Sequence, residues 1–131
     1  MTRHTAASQQ RLLVKRIRLD ARTRDLVIAS FPNGYLTSKR QAAFAKAEGL
    51  MAGMPDLVVF EARAVTNTVT GVRYGILRYA LMIELKSAKG TLSAAQKAIH
   101  QKLTDAGYCV RVVRSAEEGW RVLCEYLGIT P

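Results

Sequence analysis

The chain is poor in cysteine, histidine and aromatic residues, and it carries half as many acidic as basic groups. Its two cysteines, Cys109 and Cys124, lie in apolar stretches without C-x-x-C spacing, so they read as reduced core thiols rather than a disulfide or zinc framework. Two isolated histidines, His4 and His100, do not extend them into a zinc site, and His100 is expected on a helix surface near any bound nucleic acid. No apolar run reaches the ~20 residues of a membrane-spanning helix. The basic N-terminus precedes no signal-peptide core, and no strongly amphipathic helix offers a Trp or Phe face to a lipid surface. No membrane partner is therefore expected. Aromatics make up 7% of the chain and are too sparse in its basic regions to stack the bases of a single strand.

What is present is a hydrophobic fraction of 49% over 131 residues, enough for one domain spanning 1–131 with a buried core, frayed over residues 1–8. Twenty Lys and Arg against ten Asp and Glu give a formal charge of +10. Such a surface attracts polyanions and gains from counterion release, which makes nucleic acid the first candidate partner. Arg11, Lys15, Arg18 and Arg22 recur at i, i+4, i+7 and i+11 along a helical pattern over residues 9–19, forming one basic stripe. The stripe reads either as a solvated face or as a row of phosphate contacts. Lys39, Arg40 and Lys89 are the further candidates for DNA contact.

The hydropathy pattern gives the order helix, three strands, helix, strand, helix. Leu12, Leu13 and Ile17 share the inward face of the first helix. Residues 26–31 read as a strand ended by Pro32-Asn33-Gly34, and residues 38–48 as a short helix closed by Gly49. Leu57 to Phe60 is a continuous apolar run, as in a strand buried on both faces. A hairpin connection over residues 66–72 leads into one long strand over 74–86. Ala95, Ile99, Leu103 and Ala106 give the next helix its apolar face, with Gly107 as its cap, and residues 109–114 form a strand. Ser115 with Glu118 forms a capping box for a last helix whose inner stripe is Trp120, Leu123, Cys124 and Leu127. This is an α/β class with a mixed sheet flanked by helices, in the order αβββαβα.

The chemistry concentrates at two strand ends. Along residues 80–86, Leu81, Ile83 and Leu85 point one way, while Glu84 and Lys86 point the other, side by side. Alone, they read more readily as an exposed salt pair on a sheet edge. Asp56 opens the preceding apolar strand after a Gly-x-Pro turn, where an aspartate also serves as a turn cap. If the two strands pair, Asp56 and Glu84 converge, and with the Leu85 carbonyl they make a hard-oxygen site suited to Mg2+ or Mn2+. Lys86 then positions a water or offsets charge on a phosphorane. Gln96 completes a capping box with Ser93 and, on the first turn of the following helix, also reaches Lys86 or a substrate phosphate.

The segments Pro32-Asn33-Gly34, Lys46-Ala47-Glu48-Gly49, Ala52-Gly53-Met54-Pro55-Asp56-Leu57, Ile83-Glu84-Leu85-Lys86, Lys89-Gly90, Leu92-Ser93, Gln96, Ala106-Gly107-Tyr108 and Val112-Val113-Arg114-Ser115 together resemble the virus-type replication-repair nuclease (VRR-NUC) family. That family lies within the PD-(D/E)xK nuclease superfamily. The resemblance runs from Leu26 over nearly the whole remaining chain and is closest to stand-alone phage and bacterial members. It implies a restriction-endonuclease-like core and a Mg2+- or Mn2+-dependent phosphodiesterase. Asp56, Glu84, Lys86 and Gln96 would match the family's catalytic residues. The stand-alone members imply Holliday-junction resolvase-like action on branched DNA, a homodimer, and the cytoplasm of a bacterium or phage-infected host. One departure stands out. The family carries a Glu on its first helix, whereas Thr5-Ala6-Ala7-Ser8-Gln9-Gln10 has none. The reading is thus a structure-selective DNA endonuclease. The alternative is a catalytically weak or inactive DNA-binding protein with a nuclease fold.

Overall fold

The computed structural model describes residues 5–31 and 38–131. Helix α1 (Ala6–Leu19) starts where the Thr5 hydroxyl accepts the Ser8 amide at 3.1 Å. Ser8 therefore belongs to an ordered first turn, and the fraying expected over residues 1–8 does not include residues 5–8; residues 1–4 lie outside the described residues. Leu13 and Ile17 are buried, but Leu12 is 51% exposed. Leu12 lies five positions before Ile17, and at 3.6 residues per turn that spacing rotates Leu12 off the inner face.

Strand β1 (Ile28–Ser30) follows, then helix α2 (Lys39–Ala47), which Ser38 caps and which buries no side chain. The turn expected at Pro32-Asn33-Gly34 lies outside the described residues. Strand β2 (Leu57–Val59) is fully buried, and its apolar run stops one residue early because Phe60 turns outward. The long strand expected over residues 74–86 is two strands in two sheets. Strands β3 (Arg63–Thr66) and β4 (Arg73–Arg78) form a separate hairpin, and β5 (Leu81–Leu85) joins the main sheet. The break has a cause in the sequence. Arg73 and Arg78 cannot enter a doubly covered sheet, whereas from Ala80 every residue to Leu85 is buried.

Helix α3 (Ala94–Asp105), strand β6 (Cys109–Val113) and helix α4 (Ala116–Leu127) complete the chain. The main sheet has the order β1-β2-β5-β6. Its first three strands are antiparallel neighbours, and β6 runs parallel to β5 through the α3 crossover. With α2 and the hairpin set aside, the order is αβββαβα.

Helices α1 and α4 cover one face of the sheet, packing Leu13, Ile17, Trp120 and Leu123 on Leu57, Leu81, Ile83, Leu85 and Val113. Gly119 permits the close α1–α4 approach: a Cβ there would lie 2.7 Å from Leu13 Cδ2. Arg16 covers the Trp120 ring from outside at 4.6 Å. Val58, Ala80 and Met82 point to the opposite face, against Leu103, Tyr108 and Val110. The inner side of α3 carries only part of the apolar stripe that its periodicity suggests: Leu103 packs on the sheet. Ala95 and Ala106 are exposed, and His100 is the buried residue. At the start of α4, Ser115 accepts the Glu118 amide as expected, but the Glu118 carboxylate returns to the Arg114 N–H at 2.7 Å rather than to Ser115.

Candidate active site

The register of β2 on β5 decides what meets at the sheet's end. Leu57 pairs with Ile83 and Val58 with Met82, so Asp56, one residue before β2, falls opposite Glu84. Asp56 is fixed there by its Oδ2, which accepts the Leu85 N–H at 2.9 Å, and by its carbonyl, which accepts the Phe31 N–H at 3.0 Å. The preceding turn needs a glycine for two reasons. Gly53 has φ +89°, and a Cβ would lie 2.5 Å from the Ala95 carbonyl oxygen. The missing side chain lets the Gly53-Met54-Pro55 turn lie on the first turn of α3, the turn that carries Gln96.

Glu84 follows Met82 on the α3 face and is 2% exposed. Its Oε1 accepts a hydrogen bond from Gln96 Nε2 at 2.7 Å and lies 3.6 Å from Lys86 Nζ. Its Oε2 is buried without a hydrogen-bond partner, 3.9 Å from His100 Nε2, which also has none. Burial foremost, and the Asp56 charge second, push the Glu84 carboxyl up to about 7 against the pull of Lys86. Burial, then the nearby Lys86 charge, holds His100 below its ordinary value, so the imidazole resists protonation.

Gln96 fills the capping role that its position suggests. Its Oε1 accepts the Ser93 N–H at 2.9 Å to close the capping box, whereas its amide donates to Glu84 and not to Lys86, a partner expected from the sequence. His100 is a correction to the sequence reading: it is 8% exposed and faces Glu84 instead of lying on the helix surface. It sits one turn after Gln96, and that spacing was its only visible signal. Arg114 was also missed as a site residue. Its guanidinium donates to the carbonyls of Ser87 and Gly90, in the loop after Lys86.

A cleft of about 410 Å³ joins Asp56, Glu84, Lys86, Ser87, Gly90 and Gln96 to a wall made by Ala6, Ala7 and Gln10 of α1. That wall bears no carboxylate. Through Ala7 and Gln10 the cleft adjoins a groove of about 530 Å³ between α1 and β1, along which Arg11, Lys15 and Arg18 lie. Arg22 is separate from this row. The helix ends at Leu19, and Arg22 is bonded to Asp20 and, at 2.7 Å, to the Thr130 carbonyl. Lys39 and Arg40 are exposed on α2 and do not line the cleft, and Arg40 lies over the Phe44 ring at 5.6 Å. Lys89 is exposed on the loop that Arg114 holds.

Among the described residues no group of three or more His, Cys, Asp or Glu side chains forms a ready metal cluster. The donors present are nevertheless hard oxygens, and a buried carboxylate oxygen without a hydrogen bond, beside a second carboxylate, suits a divalent cation. Mg2+ commonly uses one or two carboxylates and takes its remaining ligands from water and phosphate. Among the described residues no helix is long and apolar enough to cross a membrane.

Comparisons with known proteins identify the fold and the family. A solved structure described as a VRR_NUC domain protein superposes with a TM-score of 0.76 at 23% identity, covering 98% of this chain and 93% of that one. No curated protein matches. The family model for the VRR-NUC domain matches residues 3–117, which include every strand, both carboxylates, Lys86 and Gln96. On that match the chain belongs to the VRR-NUC domain family, and its fold is of the nuclease type.

Proposed function

We propose that the chain is a Mg2+- or Mn2+-dependent DNA endonuclease whose site comprises Asp56, Glu84, Lys86 and Gln96. The observation that supports this most is the pairing of Asp56 with Glu84 across β2 and β5, with Lys86 at 3.6 Å from Glu84 and a basic groove adjoining. Asp56, Glu84 and the Leu85 carbonyl would hold the cation. When bound, it polarises a phosphoryl oxygen and lowers the pKa of a coordinated water.

The protein's own groups prepare the rest. Gln96 fixes the Glu84 carboxylate through Oε1. Lys86 orients the attacking water, or offsets the negative charge that accumulates on the phosphorus centre. Arg11, Lys15 and Arg18 hold phosphates without reading bases, so substrate shape sets selectivity. Lys89, Lys39, Arg40 and Arg22 are weaker candidates for the same role.

The preferred substrate in this reading is branched DNA such as a four-way junction, cut by a homodimer that presents two sites. The β3–β4 hairpin supports self-association because it exposes Val69, Val72, Tyr74 and Ile76. Residues 1–131 act as one domain, and the working place is the cytoplasm of a bacterium or phage-infected cell. One observation favours a second reading, a DNA-binding protein with little activity: the α1 wall offers Ala6, Ala7 and Gln10 where a further carboxylate would strengthen metal binding.

The test is cleavage of a labelled four-way junction beside a linear duplex, in Mg2+ and in Mn2+. Paired nicks near the crossover support the first reading. Equal cutting of both substrates removes the selectivity for branches. Tight binding without cutting in either metal supports the second reading.

A further inference from the structure

Resting on the nuclease reading above, we infer that Arg114 is the positioning residue of Lys86, acting through the loop of residues 87–90. Arg114 follows β6, the parallel neighbour of β5, so it emerges at the same end of the sheet as Lys86. Its own backbone is secured there because its N–H donates to the Glu118 carboxylate at 2.7 Å. From this anchor, Nη1 donates to the Ser87 carbonyl at 2.8 Å and also to the Gly90 carbonyl. One planar cation thus closes both ends of a tight turn, also tied by the Gly90 N–H to the Ser87 carbonyl at 3.0 Å.

The link to the site runs through Gly90. The Lys86 backbone is already held by its N–H bond to the Val113 carbonyl at 2.9 Å, which leaves the long side chain to be directed. Gly90 lies near that side chain: a Cβ added at Gly90 would meet Lys86 Cδ at 3.6 Å. The loop therefore forms a wall for the aliphatic stem and confines the ammonium to the side of Glu84, 3.6 Å away. Without the guanidinium, the Ser87 and Gly90 carbonyls turn to water, the wall loosens, and Lys86 spreads over more rotamers. A flexible ammonium loses much of its catalytic value, since an ångström of misplacement costs up to about a hundredfold in rate.

The test is a double-mutant cycle on DNA cleavage under single-turnover and steady-state conditions, with wild type, Arg114→Ala, Lys86→Ala and the double variant. Alongside it, amide hydrogen exchange is followed on the whole protein without metal. The expected result is a kcat about ten- to hundredfold lower in Arg114→Ala with KM nearly unchanged, no further loss when Lys86 is already Ala, and faster exchange confined to residues 87–90. An equal loss in the Lys86→Ala background would overturn the inference, because Arg114 would then act on something else. So would a rise in KM alone, which marks a substrate contact, or unchanged exchange in the loop. If Arg114→Ala fails to fold, Arg114→Lys carries the same cycle. An inactive wild type would instead overturn the nuclease reading, and the exchange comparison would still decide whether Arg114 closes the loop.

Discussion

Replacing Glu84 with Gln is expected to stabilise the metal-free protein at alkaline pH while abolishing its proposed activity. The reason lies in the site itself. Glu84 is 2% exposed, and burial with the Asp56 charge lifts its carboxyl from 4.5 to about 7. A folded-state pKa above the unfolded one means that the folded protein holds the proton more tightly. This contribution is fully present below pH 4.5 and is lost as the pH rises through about 7. At pH 8 the ionised carboxylate then costs about 3 kcal/mol, and at pH 5 less than about 1 kcal/mol. Glu84→Gln keeps the shape and still accepts from Gln96, but it carries no charge to desolvate. In the presence of a chelator, its melting temperature should exceed that of wild type by roughly 10 °C at pH 8, with the gap mostly closed at pH 5. Mn2+ should stabilise wild type at pH 8 and leave the variant unmoved, because the cation takes over the charge that burial penalises. A variant that melts below wild type at pH 8, or a gap that ignores pH, would refute the argument.

Other consequences follow from the cleft and its surroundings. Gly53→Ala places a Cβ 2.5 Å from the Ala95 carbonyl oxygen at a positive φ, so it should destabilise by about 3 kcal/mol or more, measured by urea unfolding. Changing Arg11, Lys15 and Arg18 together to Ala should weaken metal-free DNA binding and flatten the salt dependence of log K by about 2 to 3, whereas Arg22→Ala should lower stability more than affinity because Arg22 is bonded to Asp20 and Thr130. Gln10→Glu adds a carboxylate to the α1 wall of the cleft and should lower the Mn2+ concentration needed for half-saturation in calorimetry, severalfold relative to wild type.

The sequence carried much of the fold because its apolar runs coincide with the doubly covered strands. Leu57 to Val59 and Leu81 to Leu85 are buried at every position, and the inner stripe of α4 was visible in its spacing. The hairpin boundary was harder. Tyr74, Ile76 and Leu77 look like core residues, yet they are exposed on β4, and only the flanking arginines signalled that the strand leaves the sheet. Local pattern was only partly right on α3, where Leu103 packs inward but Ala95 and Ala106 do not. Its inner face carries Gln96 and His100 because that face covers a buried carboxylate, and a rule that seeks apolar periodicity places such residues outside. The pairing of Asp56 with Glu84 was legible from alternation once an antiparallel register was assumed. The hold of Arg114 on residues 87 and 90 joins groups 24 and 27 positions apart in the chain, which no local pattern encodes.

In the proposed function, Asp56, Glu84 and Lys86 form one metal-dependent site for cleaving phosphodiester bonds. Its most direct test is single-turnover cleavage of labelled DNA as a function of Mn2+, comparing wild type with Asp56→Asn, Glu84→Ala and Lys86→Ala at matched DNA occupancy. Metal-dependent product is expected from wild type, with a loss of at least about a hundredfold in each variant and DNA affinity retained. Product from wild type that needs no divalent metal, or that survives in any of the three variants, would contradict it.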